Sequence, residues 1–114
     1  MTAEELALEE LGDLLGVLGH ADRLRLLQEL RGGPRDVASL VEAVGLSQSR
    51  TSQHLGLLRA HRVVESSRHG RRVRYRLRDP DLARWLLSGL DFLAVGRGAA
   101  LEESISAVRE RYTD

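Results

Sequence analysis

Leu8, Leu11, Leu15 and Leu18 recur at the spacing of one face of a helix, with Leu14 widening the stripe and acidic residues on the opposite side. Thr2 and Glu5 precede them with the T-x-x-E spacing of a capping box, in which each side chain satisfies a free backbone N–H of the first turn. Gly19 and His20 end this helix. The pattern resumes from Ala21 to Arg31, where Leu24, Leu27 and Leu30 are expected inside and Asp22 lies near the positive end of the helix dipole. Gly32-Gly33-Pro34 stops the second helix. A third, from Asp36 to Val44, places Val37, Leu40, Val41 and Val44 inward and closes on Gly45, which supplies a left-handed residue. Ser47 is then the N-cap of a fourth helix, Gln48 to His61, with Leu55 and Leu58 inward and Gln48, Ser49, Ser52 and Gln53 outward.

Beyond Arg62 the period changes to two. VVESSR and RVRYRL alternate about a His69-Gly70 turn, which predicts a β-hairpin with Val73, Tyr75 and Leu77 on the core side and Arg72, Arg74, Arg76 and Arg78 on the other. Asp79-Pro80 has the form of a helix start, with aspartate as cap and proline in the first position. The helix that follows, to about Val95, carries Leu82, Trp85, Leu86, Leu90, Phe92 and Leu93, an apolar surface broader than one subunit's core can use. Gly96 and Gly98 permit a break, and Leu101, Ile105, Val108 and Tyr112 form a last stripe, on a separate helix or a continuation. The expected architecture is mainly α with a small β-hairpin: one winged helix-turn-helix domain over residues 1–114. Residues 36–61 are the helix-turn-helix, 63–78 the wing, and 1–18 with 79–112 the dimerisation helices.

Charge sharpens this picture. All 17 basic residues are arginines, balanced by 17 acids, so the formal net charge is zero. Nine of the arginines lie between Ser47 and Arg78 against a single acid, Glu65, whereas both flanking segments are acidic. Such segregation is the footprint of a polyanion-binding surface, and the planar arginine fork suits phosphate and guanine. The absence of cysteine excludes disulfides and thiolate metal sites. The acidic start, MTAEELALEE, is unlike a basic secretory signal, and the run from Trp85 to Val95 is too short to span a bilayer, so a soluble, cytoplasmic protein is expected. No nucleophile elbow, glycine-rich phosphate loop or metal triad is present, which argues against an enzyme. The competing class is a protein-binding module that uses the same fold without DNA.

The strings HADRLRLLQEL, GLSQSRTSQHLGLLRAHRVVESSRHGRRVRYRL and the DPD that opens the next helix resemble the ArsR/SmtB family of bacterial winged-helix transcription regulators over about residues 15–95. The resemblance implies a homodimer joined through the first and last long helices, acting on a palindromic double-stranded operator as a repressor or activator. It implies base reading by Gln48, Ser49, Ser52 and Gln53, phosphate contact by Arg50, and backbone or minor-groove contact by Arg71, Arg72 and Arg74 in the wing. Ser47 is assigned to capping alone.

The family's effector sites are not carried over. Where its thiolate sensors have C-V-C, this chain has Asp36, Val37 and Ala38; where its zinc- and nickel-type site needs two late ligands, it has Phe92 and Val95 after Asp79 and Asp81. Two carboxylates without imidazole hold a borderline metal poorly. His54 is assigned to packing beside Leu55, and His20, His61 and His69 to the surface, because no pair has ligand spacing on one element. No cofactor is therefore required. Control is expected through a weakly held nickel or zinc ion at an unconventional site, or through a regulatory partner protein docking on the acidic helices.

Overall fold

A computed structural model describes the backbone of residues 1–113 and the side chains of residues 1–111, so the Tyr112 side chain assigned to the last stripe lies outside the described residues. The element order is α1 (Ala3–Leu18), α2 (Ala21–Leu30), β1 (Arg35–Asp36), α3 (Val37–Val44), α4 (Gln48–Ala60), β2 (Val64–His69), β3 (Arg72–Leu77), α5 (Leu82–Ala94) and α6 (Ala99–Thr113). The chain divides into two compact units, Met1–Arg78 and the segment from Asp79 onward.

In the first unit the capping box forms as the spacing requires: the Thr2 N–H donates to Glu5 Oε2 at 2.9 Å, and the Glu5 N–H donates to Thr2 Oγ1 at 3.1 Å. Only Val17 and Leu18 of α1 are buried; Leu8, Leu11 and Leu15 remain exposed in the single chain. His20 does more than end α1. It is the N-cap of α2, its Nδ1 accepting from the Asp22 N–H at 3.1 Å. The buried leucines of α2 are Leu26, Leu27 and Leu30, so the inward position expected for Leu24 is corrected: it is exposed. In RLRLLQEL leucines follow one another so closely that helical spacing does not choose a register, and tertiary packing decides it.

Asp36 is the N-cap of α3 rather than its first residue, its Oδ1 accepting from the Ser39 N–H at 2.8 Å. Leu40 and Val44 are buried, while Val37 and Val41 are only half-buried. Gly45 has φ 70°, the left-handed region that ends α3. Ser47 caps α4, accepting from the Arg50 N–H at 3.1 Å. Leu26, Leu27, Leu30, Leu40, Leu55, Leu58 and Val64 are the fully buried apolar side chains of this unit. Arg62, at φ 59°, makes the left-handed turn into β2, with the Val63 N–H donating to the Leu58 carbonyl at 2.9 Å.

The hairpin is part of a three-stranded antiparallel sheet of order β1-β3-β2, which corrects the two-stranded expectation. Short β1 pairs Arg35 with Tyr75 and Asp36 with Arg74, fastening the start of α3 to the wing. Along β3 the alternation holds, Val73, Tyr75 and Leu77 being covered and Arg72, Arg74 and Arg76 exposed.

In the second unit α5 starts at Leu82, later than the Asp-Pro signal implies. Asp79 Oδ1 accepts from the Asp81 N–H at 2.9 Å and forms a turn before the helix; Asp81, the N-cap, makes no side-chain cap. Gly96 and Gly98, with φ 73° and 90°, break the chain, so α6 is a separate helix. Asp91 and Arg109 pair between α5 and α6. Ile105 is buried, yet no residue of α5 is, and Trp85 and Phe92 are 44% and 80% exposed. No helix among the described residues is long and apolar enough to cross a membrane.

Candidate nucleic-acid interface

The α4 helix separates two kinds of residue by face. Thr51, Leu55 and Leu58 are fully buried, and Thr51 Oγ1 donates back to the Ser47 carbonyl at 2.9 Å, so a hydroxyl that looks free in the sequence is used internally. Gln48, Ser49, Arg50, Ser52 and Gln53 are all exposed. This puts two carboxamides and two hydroxyls on one accessible helical surface, where a glutamine can match the donor and acceptor edge of adenine and a serine can meet base or phosphate.

Arginines brace the helices around this surface. Arg25 donates from NH2 to the Val44 carbonyl at 2.7 Å, tying α2 to the end of α3, and Arg59 of α4 reaches Ser66 Oγ of β2 at 3.3 Å. Arg23 donates from Nε to the Val17 carbonyl at 2.5 Å. These α2 arginines were not singled out in the sequence. Their signal is position: they lie outside the arginine-rich segment and beside helix C-termini, where unpaired carbonyls need donors.

The wing arginines are not equivalent. Arg71 and Arg74 are exposed and hold no ion pair among the described residues. Arg72 sits 3.6 Å from Asp36 Oδ2 but is 74% exposed, so water screens the pair and the guanidinium remains available to an anion. Arg76 is engaged by Glu65 through Nε and NH2 at 3.0 and 2.7 Å, which takes it out of the free set.

At the positions of the family's two effector sites, Asp36 and Asp79 take part in local hydrogen bonds. Asp36 spends one oxygen on the α3 cap and faces Arg72 with the other, beside Val37 and Ala38, which have no donor atoms. Asp79 is used in its turn, and Phe92 and Val95 present exposed hydrocarbon. What sequence reasoning missed is a different grouping. His20, Asp22 and His54, all half-buried, bring one ligand atom each to within 4.8 Å of one another. The imidazole centroids of His20 and His54 are 4.7 Å apart. Burial pushes the His54 imidazole below its usual pKa, with His20 and Arg23 adding to the effect and Asp22 opposing it.

A buried helical frame that presents a polar helix followed by an arginine-lined hairpin defines the winged helix-turn-helix class. The family model for bacterial regulatory proteins of the arsR family matches residues 20–66. The HTH-type transcriptional repressor SmtB of Mycobacterium tuberculosis is 40% identical over 83 residues, covering 73% of this chain and 62% of the repressor. The biofilm growth-associated repressor of Xylella fastidiosa is 35% identical over 85 residues, covering 73% and 75%. Among solved structures, a homodimeric winged helix-turn-helix DNA-binding domain from Mycobacterium bovis superposes with a TM-score of 0.69 at 28% identity, covering 82% of this chain and 87% of that one. The chain belongs to the arsR family of bacterial transcriptional regulators. It spans less than two thirds of the length of the SmtB repressor it matches.

Proposed function

We propose that this protein is a cytoplasmic transcriptional regulator that binds double-stranded operator DNA as a homodimer, reading bases with Gln48, Ser49, Ser52 and Gln53 and holding the backbone with Arg50, Arg71, Arg72 and Arg74. The observation that carries this is the division of α4 into buried Thr51, Leu55 and Leu58 and an exposed set of carboxamides and hydroxyls, followed at once by exposed wing arginines. Homodimerisation is supported by the Mycobacterium bovis neighbour and by the uncovered apolar side chains of α1 and α5. Residues 1–114 then act as one DNA-binding unit, with two-fold symmetry presenting two α4 helices to half-sites roughly 34–36 Å apart, or a multiple of that.

The division of labour is tested by two substitutions, measured on a duplex selected from a randomised pool and on random duplex. Gln53→Ala is expected to reduce discrimination by about 1–3 kcal/mol at particular base pairs. Arg72→Ala is expected to weaken both duplexes alike and to make the salt dependence shallower by about one unit of slope. Equal effects of both substitutions on selected and random DNA would show that base reading lies elsewhere.

A further inference from the structure

We propose that His20, Asp22 and His54 form a binding site for a divalent transition-metal ion that bridges α2 to the middle of α4. The first two residues lie at the start of α2, one as its N-cap and one in its first turn, and the third follows Gln53 directly on the helix assigned to base reading. Two imidazoles and a carboxylate are the donor set that suits zinc, nickel or cobalt, rather than calcium or magnesium, which take oxygen ligands. Zinc at its usual bond lengths of about 2.0–2.2 Å holds tetrahedral ligands about 3.4 Å apart. The present spread, within 4.8 Å, therefore needs a contraction of at most about 1.4 Å in its widest pair. Among the described residues this is the one group of three such side chains so placed.

Neighbouring charges set the strength. Arg23 NH1 lies 3.4 Å from His54 Nδ1 and Arg50 also acts on that ring, so a dication works against two fixed positive charges, and Asp22 offsets them in part while also facing Arg25 at 3.5 Å. Three protein ligands beside two arginines make a weaker site than a closed four-ligand one, and the remaining position falls to solvent. The Asp22 N–H donates to His20 Nδ1 at 3.1 Å, so the ring nitrogen that carries the lone pair is engaged, and a metal must displace this bond to be ligated by His20.

The placement, taken with the proposed function, gives the ion a regulatory consequence. His54 faces α2 while its neighbours Ser52 and Gln53 are exposed, so drawing His54 toward His20 and Asp22 repositions the base-reading surface. By linkage, the factor by which zinc changes duplex affinity equals the factor by which duplex changes zinc affinity.

The test is a calorimetric zinc titration of the full chain, compared with His20→Asn, Asp22→Asn and His54→Gln. Asparagine at position 20 retains an N-cap acceptor, and Asp22→Asn leaves both rings in place, so loss of binding in these two variants is not a loss of fold. One zinc per chain in the parent, weakened at least about ten-fold in all three variants, supports the site. No zinc binding by the parent, or unchanged binding in the variants because the ion sits on the acidic surface instead, overturns it. Duplex binding is measured in parallel with and without zinc: its absence in both states overturns the DNA-binding reading, whereas duplex binding without a His20-dependent zinc site overturns only this one.

Discussion

Leu55→Ala is expected to lower the stability of the protein by about 2–5 kcal/mol, read as a drop in the thermal or urea midpoint. Leu55 is fully buried in α4, whereas Gln48, Ser49, Ser52 and Gln53 are exposed. Removing its isobutyl group loses the transfer free energy of the side chain and leaves a cavity among leucines packed with few voids. For a domain whose whole stability is about 5–15 kcal/mol, such a change populates unfolded chain at moderate temperature. DNA binding should fall in proportion to the folded fraction and keep its base preference. Unchanged stability would contradict the placement of α4 in the core.

Trp85→Glu is expected to have the largest effect on DNA binding without reaching the proposed interface. In the single chain α5 buries none of its side chains, and Trp85, Phe92 and Leu93 are all exposed. A glutamate on that surface places a charge where the second subunit would bury apolar area, and an unpaired buried charge is costly. Sedimentation should show a shift from dimer to monomer. Operator affinity should then fall by about 10²–10⁴, because each half-site contact loses the high effective concentration that its partner supplies. A variant that stays dimeric with full affinity would remove α5 from the proposed subunit contact.

The helical frame was legible because its signals are local. The Thr2–Glu5 box, the Ser47 cap, Gly45 and the two-residue alternation of Val73, Tyr75 and Leu77 each state a backbone geometry within a few residues, and each is found in place. The exposure of Gln48, Ser49, Ser52 and Gln53 follows from the same periodicity. Strand β1 was not legible, since two residues carry no period and their pairing depends on β3, far along the chain. Arg62 adopts a left-handed φ without the glycine that usually marks one. Nor did RLRLLQEL reveal which of its leucines points inward.

The His20, Asp22 and His54 grouping was invisible for a related reason. Ligand spacing in a sequence is a signal within one element, whereas these residues come from two helices that meet only in the folded protein. His20 gave no sign of a special role, because histidine is an uncommon N-cap and stands where α1 ends. The α2 arginines that donate to the Val17 and Val44 carbonyls were hidden in the same way, their partners lying at the ends of other helices.

The central claim, that the α4 surface and the wing grip duplex DNA, is tested most directly by fluorescence anisotropy of a short labelled duplex against the unmodified protein over a range of salt. The account predicts tight binding at low salt and a linear fall of log affinity with log salt, reaching about 10³–10⁵ between 50 and 200 mM if 6–10 phosphates are contacted. No binding at 50 mM salt, or an affinity indifferent to salt, would contradict it.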